Sequence, residues 1–131
     1  MAIELSEKAK GLLKGKNFAN VATVRKDGSP QVSPIWVDFD GTHIILNSEE
    51  KRAKVKNLKR DPRVAVSVFN QANPYEYVQI SGRVTEITTE GGAEGIDKMA
   101  QKYLGQEKYP GNKPGDVRVV IRIEPEKITG Q

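Results

Sequence analysis

Apolar residues recur at two different periods along this chain, and each switch of period marks an element. Leu5, Ala9, Leu12 and Leu13 keep helical spacing, with Ser6 placed to cap the start and Gly15 to end the run. From Phe18 to Val24 apolar and polar residues alternate with the two-residue period of a half-buried strand. Asp27-Gly28 is a hairpin turn signal, Gln31 to Phe39 reads as a second strand, Asp40-Gly41 as a second turn, and Thr42 to Asn47 as a third strand. A three-stranded meander is therefore predicted. The stretch Glu49 to Arg60 has no strand pattern and reads as a short charged helix ended by Asp61-Pro62. Arg63 to Phe69 and Tyr75 to Thr88 are strands flanking the loop Asn70 to Pro74, and Gly82 inside the longer one predicts a bulge or tight bend. Ile96, Met99, Ala100, Tyr103 and Leu104 form one face of another helix. Tyr109 to Asp116 is irregular, and Val117 to Ile123 is a sixth strand stopped by Pro125.

This order predicts a mainly β fold with short helices, in one domain over residues 1–131. Six antiparallel strands joined mostly by local turns favour a small barrel or a closed Greek key. No G-x-G-x-x-G follows a strand and no G-x-x-x-x-G-K-[ST] occurs, so neither a Rossmann domain nor a P-loop is expected. The chain has no cysteine, which excludes disulfides, thiolate metal sites and a cysteine nucleophile. Its lone histidine, His43, sits on a predicted strand without a triad motif around it, and it excludes a multi-histidine metal centre. The carboxylates show no paired spacing. No catalytic side chain and no metal site is expected; chemistry, if any, would come from a bound cofactor. No apolar run approaches the roughly 18 residues of a membrane span. The start, MAIELSEKAK, has no apolar signal core, so a cytoplasmic protein is expected.

Charge sharpens the picture. Lys and Arg number 21 against 17 Asp and Glu, a net of +4, but the excess is uneven. Lys51, Arg52, Lys54, Lys56, Lys59, Arg60 and Arg63 crowd one short stretch that holds a single acid, Asp61. A strand that ends at Asn47, a following Ser48 and a helix start nearby make a place for an anion, with Arg52 and Lys54 as cations. The same stretch also reads as a solvated basic face. No aromatic residue lies between Asn47 and Val68, so nucleic acid is not an expected partner. In QVSPIW (Gln31 to Trp36), Pro34 removes a ladder donor, and the broken strand leaves backbone groups that a planar heterocycle can use. Trp36 packs either on such a ring or in a core or dimer contact. Tyr75 and Tyr77 project from one face of a strand, to wall a pocket or to meet a partner subunit.

Taken in order, these segments resemble the pyridoxamine 5′-phosphate oxidase-like, FMN-binding split-barrel family. The resemblance rests on D-G-x-P-x-x-x-P (Asp27 to Pro34), R-A-K-x-x-N-L-x-R-D-P-R (Arg52 to Arg63), S-G-x-V (Ser81 to Val84) and the strand Val119 to Pro125. The branch it resembles most uses the deazaflavin coenzyme F420. Members that oxidise pyridoxamine phosphate carry a C-terminal Trp and Arg that hold FMN and substrate; neither follows the last strand here, which favours the deazaflavin branch.

The resemblance implies a six-stranded antiparallel split β-barrel with Greek-key topology, forming a homodimer with two cofactor sites at its interface. It implies that Arg52 and Lys54, accompanied by Ala53 and Asn57, hold the cofactor phosphate. Val32, Ser33 and Pro34 would border the ring, and Asn47 and Ser48 the ribityl chain. Tyr75, Tyr77 and Gln79 would come from the second subunit, and Trp36 would wall the substrate side. The implied activity is hydride transfer from reduced F420 to an unsaturated organic substrate. The alternatives are an FMN-dependent oxidoreductase of the same fold and a flavin- or deazaflavin-binding protein without catalysis.

Overall fold

Helix α1 (Glu7–Lys14) forms where the pattern predicts it. The Ser6 hydroxyl accepts from the Ala9 N–H at 3.2 Å, and Ala9, Leu12 and Leu13 are buried. Strands β1 (Phe18–Val24) and β2 (Pro30–Trp36) follow as an antiparallel hairpin across the Asp27-Gly28 turn. The computed structural model describes residues 2–130. In it the predicted second strand breaks at Val37. Its continuation, β3 (Asp38–Phe39), pairs with β4 (Ile44–Glu49). The chain then runs through α2 (Ala53–Arg60), β5 (Arg63–Asn70), β6 (Asn73–Thr88), α3 (Gly92–Leu104) and β7 (Arg118–Thr129).

Every strand pair is antiparallel, and the hydrogen-bonded order is β2-β1-β5-β6-β7-β4-β3. The two outermost strands, β2 and β3, are separated in sequence by Val37 alone. The sheet must therefore roll until its edges approach, which makes a split barrel. The strands number seven where the sequence pattern predicts six, and the predicted meander resolves into the β1–β2 hairpin and a short β3–β4 pair at the far edge.

Side chains of α3 make that break possible. The Val37 N–H donates to the Tyr103 hydroxyl at 3.1 Å, and the same hydroxyl donates to the Asn17 carbonyl at 2.5 Å. The Val37 carbonyl accepts from the Lys102 ammonium at 2.6 Å, which also reaches the Leu13 carbonyl at 3.0 Å. Val37 is buried, so these bonds replace ladder bonds that no strand supplies there.

The barrel interior is a branched aliphatic core that includes Val21, Ile44, Leu46, Val66, Val68, Val78, Ile80, Ile121 and Ile123. On the outside, α3 buries Ile96, Met99 and Tyr103 against Trp36, Ile45 and Tyr109. Gly82 marks the predicted bulge: the β6–β7 register shifts at Ser81/Gly82, opposite Pro125. A β-carbon at Gly82 would lie only 2.4 Å from the Glu124 carbonyl oxygen. Because the bulge absorbs Pro125, β7 runs on to Thr129 instead of stopping at the proline. Among the described residues no helix is long and apolar enough to cross a membrane.

Tyr103→Phe keeps the ring and removes the hydroxyl, leaving the buried Val37 N–H without its acceptor. We expect a loss of about 1–3 kcal/mol in unfolding free energy, measured by urea denaturation, as for one orphaned buried donor.

Candidate functional site

A cavity of about 410 Å³ opens between the edge of β2, the end of β4, the turn into α2 and the outer helix α3. β2 pairs only with β1, so its other backbone edge is free to face this space. Ser33, Pro34, Ile35 and Trp36 line it from that edge, where a proline is tolerated. Trp36 is held from behind. Its ring stacks on Tyr103 at 4.9 Å with the planes 3° apart, and Tyr109 meets it edge-on at 5.7 Å. The Trp36 contact is thus with its own helix α3, and the same ring forms part of the cavity wall.

The opposite wall is cationic. β4 ends at Glu49, which pairs with Arg118 of β7, so the chain leaves the sheet there and α2 begins only at Ala53, four residues later than the pattern predicts. Arg52 stands at the helix cap position in an extended conformation, and Arg52, Lys54 and Arg118 all line the cavity. Glu49 is the one acid in its lining, and that carboxylate already accepts from the backbone N–H groups of Lys51 at 3.0 Å and Val117 at 3.3 Å. Among the described residues neither the Arg52 nor the Lys54 side chain has a hydrogen bond or an ion pair. Burial, with repulsion from Arg52 and Arg118, holds the Lys54 ammonium below the ordinary lysine range. The Arg118 guanidinium is likewise lowered, first by burial.

A second unmet demand lies in a residue of the same wall. The Ser33 hydroxyl oxygen is buried without a hydrogen-bond partner. Such an orphan costs on the order of 1–3 kcal/mol. The cavity therefore suits a ligand that brings an anion to Arg52 and Lys54 and a polar ring edge to Ser33. A planar heterocycle carrying a phosphate fits that donor set, with the β2 edge along the ring and Trp36 as a wall.

The family model for pyridoxamine 5′-phosphate oxidase matches residues 5–131, nearly the whole chain. The chain belongs to that family. An F420 reductase of known structure is 32% identical, with 97% of this chain and all of that one covered and a TM-score of 0.84. A conserved hypothetical protein from Mycobacterium tuberculosis shares the fold at 23% identity, covering 97% of this chain and 84% of that one, with a TM-score of 0.70. HupZ of Group A Streptococcus does so at 24% identity, covering 95% and 91%, with a TM-score of 0.69. The family and the first of these structures support an oxidoreductase with a flavin-type cofactor.

Of the residues singled out in the sequence, Ser33, Pro34, Trp36, Asn47, Ser48, Arg52 and Lys54 meet at the cavity. Val32 lies outside this lining and is 66% exposed. Ala53 and Asn57 lie on another side of α2, along a second hollow beside Arg25, Asp27 and Arg60. Asn57 donates to Thr23 Oγ1 at 3.0 Å and to Gln31 Oε1 at 3.2 Å, so it fastens α2 onto the β1–β2 hairpin. Tyr75, Tyr77 and Gln79 share one exposed face of β6 and do not line this chain's cavity; Tyr75 is 92% exposed. The sequence reading missed Phe18, Ile35, Glu49, Ile96, Tyr109 and Arg118. Arg118 had no local signal, because only the β4–β7 register sets it opposite Glu49 and beside Asn47.

Because the folded Lys54 pKa lies below its unfolded value near 10.5, the unfolded chain binds that proton more tightly. Charged Lys54 therefore opposes folding at neutral pH, and the penalty fades as pH rises from the lowered pKa toward 10.5. Lys54→Met is expected to be more stable than wild type at pH 7, with the gap closing by pH 10.5 in denaturation curves recorded across that range.

Proposed function

We propose that the protein is a reductase that uses coenzyme F420 and acts on an unsaturated organic substrate. The observation that carries this reading is the pairing, in one cavity, of two unpaired cations with an unpartnered buried hydroxyl. Likeness over the full length to a structure called an F420 reductase favours the deazaflavin over FMN. Bound in its reduced form, the coenzyme would supply a hydride from ring carbon five.

The chain's own residues divide the remaining work. Arg52 and Lys54 grip the phosphate as charge-assisted donors. The Ser33 hydroxyl and the open β2 edge fix the ring's polar side, which sets its orientation to the substrate. Trp36, backed by Tyr103, excludes water from the reacting face. Glu49 is already engaged by two backbone N–H groups, so the product takes its proton from water. A second copy of the chain completes the site, bringing Tyr75, Tyr77 and Gln79 from the exposed face of β6.

Titration of the apo-protein with F420 and with FMN, followed by Trp36 fluorescence, tests the reading. Micromolar binding of F420 with much weaker FMN is expected. Preference for FMN would assign the site to a flavin enzyme, and binding of neither would overturn the cofactor site. Arg52→Ala and Lys54→Ala should each weaken F420 by about 1–3 kcal/mol, the loss of a charge-assisted bond. Sedimentation should report a species of twice the 14.5 kDa chain mass; a 14.5 kDa species would remove the second subunit from the site.

A further inference from the structure

Asn47 stands on the cavity wall, yet its amide is committed inside the protein. Its nitrogen donates to the Gly92 carbonyl at 2.8 Å, its oxygen accepts from Arg118 Nε at 2.9 Å, and the residue is 3% exposed. The fit is close on the α3 side. A β-carbon at Gly92 would lie 2.1 Å from the Arg118 carbonyl oxygen, and one at Gly95 would lie 3.0 Å from the Asn47 amide nitrogen. Glycine at both positions lets α3 approach β7 and β4 and lock the amide in place.

The Arg118 guanidinium is oriented from two sides. Asn47 holds Nε, and the face of Tyr109 lies 5.1 Å from the guanidinium carbon. Tyr109 is itself anchored, its N–H donating to Asp97 Oδ1 at 2.8 Å. A guanidinium has five N–H donors in a fixed fork, so one bond at Nε leaves both terminal nitrogens available. Arg118 comes from β7, while Arg52 and Lys54 come from the turn and first residues of α2, and all three line one cavity. After burial, the charges of Arg52 and Arg118 both hold the Lys54 ammonium below its ordinary range, as cations sharing one space do.

We propose that Arg118 is the third cation of a phosphate clamp formed with Arg52 and Lys54, and that Asn47 is the positioning residue that aims it. The clamp rests on the cofactor reading above only for the identity of the molecule that carries the phosphate. A phosphoryl group held from two separate elements is fixed in direction as well as place, and a guanidinium oriented in advance loses less rotamer freedom on binding.

The test is a double-mutant cycle read by calorimetric titration with inorganic phosphate. Arg118→Gln should weaken phosphate about tenfold or more, and Arg118→Lys, which keeps the charge and loses the fork, should fall between. Asn47→Ala should cost about threefold in the wild-type background and nothing once Arg118 is Gln. Melting curves without phosphate check that each variant folds, and Arg118→Lys keeps the test open if the glutamine variant does not. Phosphate affinity unchanged in both Arg118 variants would overturn the clamp, as would a wild-type protein that binds no phosphate. Losses at Asn47 and Arg118 that combine independently would overturn the positioning role. A parallel F420 and FMN titration separates the two claims. Phosphate bound with neither cofactor would break the cofactor reading and leave the clamp, whereas F420 bound equally by wild type and both Arg118 variants would break the clamp and leave the cofactor reading.

Discussion

The Tyr103 hydroxyl at Val37 is the contact on which both the barrel and its site depend. One stretch of chain, Pro30 to Phe39, must serve both edges of a rolled sheet, and at its midpoint the backbone has no strand partner. Tyr103 and Lys102 supply the missing partners from α3. The arrangement does more than close the sheet. The ring that carries the hydroxyl is the one Trp36 stacks on, so the bond that ends β2 also fixes the aromatic wall of the cavity. α3 then reaches the opposite wall through Gly92 and Asn47. A helix on the outside of the barrel thus sets the width of the cavity between β2 and β4.

Within that frame the cavity is locally unfavourable. Like charges from α2 and β7 are brought together and partly desolvated, and a hydroxyl is buried with nothing to bond. Folding alone gives no reason for either. A stable core surrounds the site and tolerates the cost, as binding sites commonly require. The unmet bonds describe the complement of a ligand: an anion at one end, a polar ring edge at the other, and an aromatic surface between. Membership of the pyridoxamine 5′-phosphate oxidase family agrees with that outline.

Much of this was legible in the residues. The caps and turns were readable because Ser6, Asp27-Gly28 and Gly82 act through local geometry, and the R-A-K run gave two of the cavity's cations. The break at Val37 was not legible. The segment around it is β-prone throughout, and what divides it is a hydroxyl and an ammonium from α3, far along the chain. Pro125 misled for a related reason, since what accommodates it is a register shift against Gly82 of β6, far away in the sequence. Arg118 and Tyr109 escaped because their role depends on the register of β4 with β7 and on a loop without periodicity. Asn57, which the R-A-K run carries with it, turns out to fasten α2 to the barrel from outside the cavity.

The central claim is that one cavity, bounded by Ser33, Trp36, Arg52 and Lys54, receives a ring-and-phosphate cofactor. The most direct measurement is a map of amide chemical-shift changes in isotope-labelled protein as F420 is added. The largest changes are expected on Ser33, Trp36, Ser48, Arg52, Lys54 and Arg118, saturating at one site per chain. Changes confined to the second hollow around Asp27 and Arg60, or no saturable change anywhere, would contradict it.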